Sequence, residues 1–201
     1  MLRLTILDFL AKWLRGIVYT PLGDEMNRLI QVLAASGMLL AAQYRQPQER
    51  PEVPENLKAP ADEQVVLAAH ATGAQIYVCQ AGAEQKFGWV LKAPEAELTD
   101  ATGKKIAHHF AGPSWKHADG SEVKAKVVAK QDAPKPEAIP WLLLSATSHS
   151  GEGIFSRVTS IQRIHTEGGI APEAKSCEGS NAGKEAATAY AADYYFYAPA
   201  H

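Results

Sequence analysis

Between Leu57 and Pro199 the chain is broken repeatedly by glycine, proline or an Asp-Gly pair. The runs between those breaks are short and rich in β-branched and aromatic residues, a pattern that suits strands and leaves little room for helices. "EQVVLAAHATG" is an apolar run ended by Gly73, and "AQIYVCQAG" ends at Gly82. "KFGWVLKAPEAELTDATGKKIAHHFAG" reads as two strands joined by turn chemistry at Asp100–Gly103. "SEVKAKVVAK" sets Val123, Ala125 and Val127 against Lys124 and Lys126, the period-two pattern of a strand with one wet face. "AIPWLLLSATSH" is continuously apolar, as a strand covered on both faces would be, and "YAADYYFYAP" alternates Tyr195 and Tyr197 with Tyr194 and Phe196. The expected fold is all-β, a mainly antiparallel β-sandwich or barrel of about eight strands. The regular exchange of strands with long helices that marks a parallel sheet is missing. One segment stays open between strand and helix, 154–165 in "GIFSRVTSIQRIHTEGG". Phe155, Val158, Ile161 and Ile164 recur at helical spacing, while the β-branched content favours a strand with a bulge.

The N-terminal quarter is written differently. Arg28 followed by the apolar run Leu29–Ala42 has the layout of a secretory signal peptide over residues 26–42, with cleavage expected near Ala42. Met26 is then the expected start of translation, and residues 1–25 an extension upstream of it. Taken as real, that extension is a helix with Leu2, Ile6, Phe9, Leu10, Trp13, Leu14 and Ile17 on one face, suited to a membrane surface. Residues 43–56, proline-rich and polar, read as a linker, and 57–199 as a single β domain. The expected location is secreted or periplasmic, with membrane contact only through the N-terminal segment.

Charge excludes one class of partner. Lys plus Arg total 20 against 22 Asp plus Glu, for a net charge of −2, so the electrostatic footprint of a nucleic-acid binder is absent. The two cysteines, Cys79 and Cys177, are even in number on a chain read as exported, which predicts a disulfide between them.

Chemistry-bearing residues concentrate in "HHFAGPSWKHADGS", His108 to Ser121. His108 and His109 are adjacent, so on a strand they face opposite sides and cannot easily share an ion. His109 and His117 could meet across a turn with Asp119 as a third ligand, but the spacing is a weak metal signal, and no metal or cofactor is expected. No serine sits in a nucleophile elbow, and Glu95 and Glu97 read as a solvated edge. A second polar cluster, "SHSGEGIFSR", brings His149 and Arg157. The candidate ligand-binding set is therefore His109, Trp115, His117, Asp119, His149 and Arg157, an aromatic plane with hydrogen-bonding groups at strand ends, suited to a small polar ligand such as a sugar. The bland alternative makes Trp115 a plug for one end of the sheet and Asp119-Gly120 an ordinary hairpin turn.

Taken together, "LKAPADEQVVLAAHATGAQIYVC", "WVLKAPEAEL", "HHFAGPSWKHADGSEV", "IPWLLLSATSHSGEGIFSRVTSIQRIHTEGGIAP" and "ADYYFYAP" resemble the family known as domain of unknown function 3455, over residues 57–199. The family occurs in bacteria and filamentous fungi, commonly behind a signal peptide. The resemblance implies export and one domain, and carries no activity with it. The expected function is a non-catalytic small-ligand-binding or envelope-associated role. Whether the chain is an enzyme stays open, with a hydrolase using a His/Asp pair as the alternative.

Overall fold

A computed structural model of the chain describes residues 48–83 and 86–200. The expected N-terminal helix, the signal peptide and the start of the linker lie outside the described residues.

The long strand β1 (Glu63–Ala81) pairs on one side with β2 (Phe87–Thr99) and on the other with the last strand, β8 (Glu185–Pro199). Between them run β3 (Lys105–Phe110), β4 (Ser114–His117), β5 (Glu122–Gln131), β6 (Trp141–Ser150) and β7 (Ser160–Gly168). Each strand is antiparallel to the next and the β1–β8 pair closes the ring, so of the two expected architectures the chain adopts the closed barrel. Closure leaves the eight-stranded sheet without terminal edges.

The inward residues alternate as a period of two requires. Leu67, Ala69 and Ala71 on β1, Ala96 and Leu98 on β2, and Ala192, Tyr194 and Phe196 on β8 are all buried in the main core cluster. Small residues on β1 face large aromatics elsewhere, which is how a narrow barrel fills its interior. Gly73, taken from sequence as a strand end, lies inside β1. A Cβ there would come within 2.5 Å of the Ala96 Cα, so glycine lets β1 and β2 approach closely at the bend.

The two ends of the barrel differ. At the end where β4 turns into β5, the open segment 154–165 resolves into a 3-10 turn, Ile154–Arg157, followed by β7. The turn drops Phe155 into the barrel, fully buried, with its ring 4.6 Å from that of Phe196. At the opposite end the β7–β8 connection folds back over the end of β1. The disulfide Cys79–Cys177 fastens it, with Cα atoms 5.4 Å apart, as the cysteine count predicts.

Outside the barrel, the described part of the proline-rich segment is a strap packed on the wall. Gln48 bridges to Val65, and Arg50 donates to the Pro60 and Glu63 carbonyls. Leu57 and Ala59 are buried, and the Leu57 carbonyl accepts a bond from Gln162 Nε2 at 2.6 Å. This strap supplies the second cover for β6. Leu143 packs outward against Ala59, Val65 and Tyr197, while Leu144 points into the core.

Candidate functional site

The strands that end near the β3–β4 turn are uneven in length, and the site follows from that mismatch. β3 pairs with β2 only at Ala96–Thr99, and β4 pairs with β5 only at Ser114–Lys116 opposite Glu122–Lys124. Below Ala96, β2 keeps β1 as its neighbour, and beyond Lys124, β5 keeps β6. Among the described residues neither has a strand on its other side. The short hairpin thus leaves a notch in the barrel wall. A cavity of about 280 Å³ opens there, with Leu91 and Val127 on its two sides and Gly112–Pro113 at its lower lip.

Its floor is polar and aromatic. His109 and Trp115 are direct cross-strand partners with both side chains inside, their rings parallel within 2° and 4.3 Å apart. His109 Nδ1 lies 2.9 Å from the Ser114 carbonyl, so that nitrogen carries the proton and Nε2 is left as an acceptor. Burial drives the His109 pKa down to about 3; the backbone bond to Ser114 opposes the shift, and the Arg163 and His108 charges add to it. The ring is therefore neutral at ordinary pH. Tyr194 meets both rings edge-on.

Around these rings sit polar atoms that the described residues do not satisfy. Gln75 Nε2, Trp115 Nε1, Arg163 Nε and the Tyr194 hydroxyl are buried without a hydrogen-bond partner, and all four residues line the cavity. Among the described residues, Arg163 makes one bond, from Nη2 to the Pro140 carbonyl at 2.9 Å, and no ion pair. It lies beside the Tyr194 hydroxyl, as Tyr190 does, and acts on both tyrosines electrostatically, although neither hydroxyl makes a hydrogen bond within normal limits. Burial pushes both tyrosine hydroxyls above their ordinary range, with Arg163 pulling against it. Orphaned polar groups are uncommon in native interiors, and four around one cavity call for a partner from outside the chain.

The six residues expected from sequence divide between the two ends. His109 and Trp115 lie on the cavity floor. His117 and Asp119 sit at the β4–β5 turn, where the Asp119 carboxylate gathers the 154–157 turn to the hairpin. It accepts from the Ser121 amide (2.9 Å), the Ser121 hydroxyl (2.6 Å) and the Ile154 amide (2.8 Å), with His117 Nδ1 at 3.0 Å. Burial raises its pKa, but these bonds outweigh it and hold the carboxyl far below its usual range. Ser121 is fully buried, and its hydroxyl also accepts from the Phe155 amide at 3.1 Å. The Ser121 hydroxyl is thus bonded to the carboxylate and not to an imidazole. His149 Nε2 donates to the Val158 carbonyl at 2.6 Å and steadies the same turn, while Arg157 is exposed. His117, Asp119, His149 and Arg157 therefore belong to the closed end. The expected meeting of His109 with His117 and Asp119 does not occur, because β4 separates them: His117 pairs with Ala107 and His109 with Trp115.

The opposite facing of His108 and His109 holds. His108 faces outward between Glu95 (3.0 Å) and Glu97 (3.4 Å), opposite in sense to His109. Among the described residues, no group of three His, Cys, Asp or Glu side chains is placed to hold a metal ion. An outer-wall cluster went unnoticed in the sequence: Asp193 is bonded by His70 Nδ1 at 2.8 Å and His165 Nδ1 at 2.9 Å. Gln75, Arg163 and Tyr194 were also missed. Each is a polar residue at an inward phase of an otherwise apolar run, and that was the available signal.

Comparison with curated proteins and with solved structures yields no match. A family model described as protein of unknown function (DUF3455) matches residues 60–198, from the strap to the last strand, so the site described above lies entirely within the matched region. The chain belongs to the DUF3455 family.

Proposed function

We propose that the protein is a non-catalytic binding barrel that takes a small organic ligand into the cavity beneath the β3–β4 notch. The observation that carries this reading is a mostly apolar cavity whose lining residues Gln75, Trp115, Arg163 and Tyr194 each hold a buried polar atom without a partner among the described residues. A few convergent polar groups in a mostly apolar concavity is the composition of a small-molecule site. The size fits as well: about 280 Å³ exceeds the roughly 150 Å³ apolar cavity known to hold benzene. The notch offers the entry, since Leu91 and Val127 on its two sides are about half exposed, at 51% and 49%.

The barrel works in this reading as a carrier or sensor and not as a hydrolase. The His117–Asp119–Ser121 group holds the closed end together, and its serine is buried. Export is part of the proposal and is supported by the disulfide Cys79–Cys177, a bond typical of oxidising compartments.

Titration calorimetry with small aromatic and aliphatic compounds tests the reading. Binding is expected in the native protein and lost in Leu142→Trp, which fills the cavity from the face that Leu142 shares with its register partner Arg163. Equal binding by native protein and the filled variant would place the ligand elsewhere.

A further inference from the structure

The chemistry of the unsatisfied groups is one-sided. Arg163 Nε, Gln75 Nε2 and Trp115 Nε1 are donors only, and the Tyr194 hydroxyl can donate as well. Among the described residues, the lining contains no aspartate or glutamate. It has two cations, Lys92 and Arg163. Lys92 is paired with Glu185, which leaves Arg163 as the lining cation without a counter-charge. A half-buried guanidinium with no carboxylate beside it is costly to maintain, and its planar fork matches a carboxylate. Beyond this polar floor, the wall toward the notch is Leu91, Ala93, Pro94, Val127 and Leu142.

We infer that the ligand is a small organic acid, its carboxylate held by Arg163 with Gln75 and Tyr194, and its compact apolar body lying against Leu142, Leu91 and Val127 under the notch. This rests on the binding reading above and narrows it to one ligand class. It disfavours a sugar, whose hydroxyls need acceptors as well as donors. On the floor only the neutral Nε2 of His109 and the side-chain oxygens of Gln75 and Tyr194 can serve as acceptors. A single ring or a short chain suits the volume, and a long-chain lipid does not.

The test is calorimetry on the full-length protein with benzoate and hexanoate, each against its neutral counterpart, benzyl alcohol and 1-hexanol, and with inorganic phosphate alone. The acids are expected to bind at least tenfold more tightly than the alcohols. Arg163→Gln should remove that preference, and Arg163→Lys should keep part of it. If Arg163→Gln does not fold, as judged by circular dichroism, the comparison of acid with alcohol in native protein and in Arg163→Lys decides the matter. Equal affinity for acid and alcohol overturns the acid inference and leaves the binding reading standing. So does phosphate binding as tightly as either acid, because the apolar body would then contribute nothing. Absence of binding by every probe overturns both.

Discussion

His109 and Trp115 face each other across the β3–β4 hairpin at 4.3 Å, ring parallel to ring, and both are buried to within 2% of full enclosure. Neither presents an open platform to solvent. The cavity meets them from above, so the pair forms its floor. Trp115 is at once the largest buried side chain and a donor without a partner.

Replacing Trp115 by alanine should therefore cost about 3–5 kcal/mol, the usual penalty for emptying an aromatic core site. Chemical denaturation would measure it. Trp115→Phe should keep most of the stability and lose the indole donor, which makes it the better variant for asking whether that donor matters to a ligand.

A second prediction concerns pH. The folded pKa of His109, about 3, lies below the ordinary value near 6.5, so the unfolded chain binds the proton more readily. The stability tied to the neutral ring is fully present above about pH 6.5 and is lost progressively as pH falls toward 3. Carboxylates titrate mainly at the lower end of that span. A fall in melting temperature between pH 6.5 and 5 that is flattened in His109→Gln would identify this ring as its source. An unchanged slope in the variant would remove His109 from the account.

The closed end gives a third. Asp119→Ala releases the Ile154 amide and the Ser121 hydroxyl together, freeing the turn that carries Phe155. A loss of about 1.5–3 kcal/mol is expected from charged hydrogen bonds of this kind. Ligand affinity at the other end of the barrel should change little. Because the folded carboxyl is held below its unfolded value, its contribution is present above about pH 4 and fades as pH falls further. Asp119→Ala should therefore show a shallower acid limb in its stability profile.

The disulfide gives a fourth. Cys79 and Cys177 are 98 residues apart, a separation for which the chain-entropy model assigns about 4.7 kcal/mol. The double alanine variant should melt well below the native protein and should expose the 174–181 connection to protease first. Mass measurement without reductant should find the native protein lighter than its reduced form by the mass of its two bonded thiol hydrogens.

Much of the barrel was legible in the sequence, though by a compensating route. "EQVVLAAHATG" and "AQIYVCQAG" read as two strands because Gly73 interrupts them, whereas β1 runs straight through. "SWKH" read as loop between two breakers, whereas it is β4. One strand too many and one too few returned the right number. Glycine ends a strand or permits a tight crossing according to what stands opposite, and here Ala96 decides it. The site was half legible. Aromatic and histidine residues between two turns drew attention to His109 and Trp115. Arg163 went unseen because the bulge at Ile164/Glu167 obscures the inward phase of β7, and Gln75 because Gly73 made the run read as two strands, which hid that it continues the inward phase of Leu67, Ala69 and Ala71. The bond from Asp119 to Ile154 spans 35 residues, beyond the reach of local turn chemistry.

The notch has a cost at the level of the whole solution. A closed barrel normally escapes the hazard of exposed strand edges, yet the short β3–β4 hairpin returns two of them, β2 before Ala96 and β5 after Lys124. Val90, Leu91, Val127 and Val128 are all exposed along these stretches, which makes them natural templates for edge-to-edge pairing between molecules. The β5 sequence sets Lys124, Lys126 and Lys130 around its valines, and lysines at such an edge repel a second copy. The wet face that first marked this segment as a strand thus also acts as a guard. It stands beside the open doorway in the barrel wall and opposes the approach of a second edge.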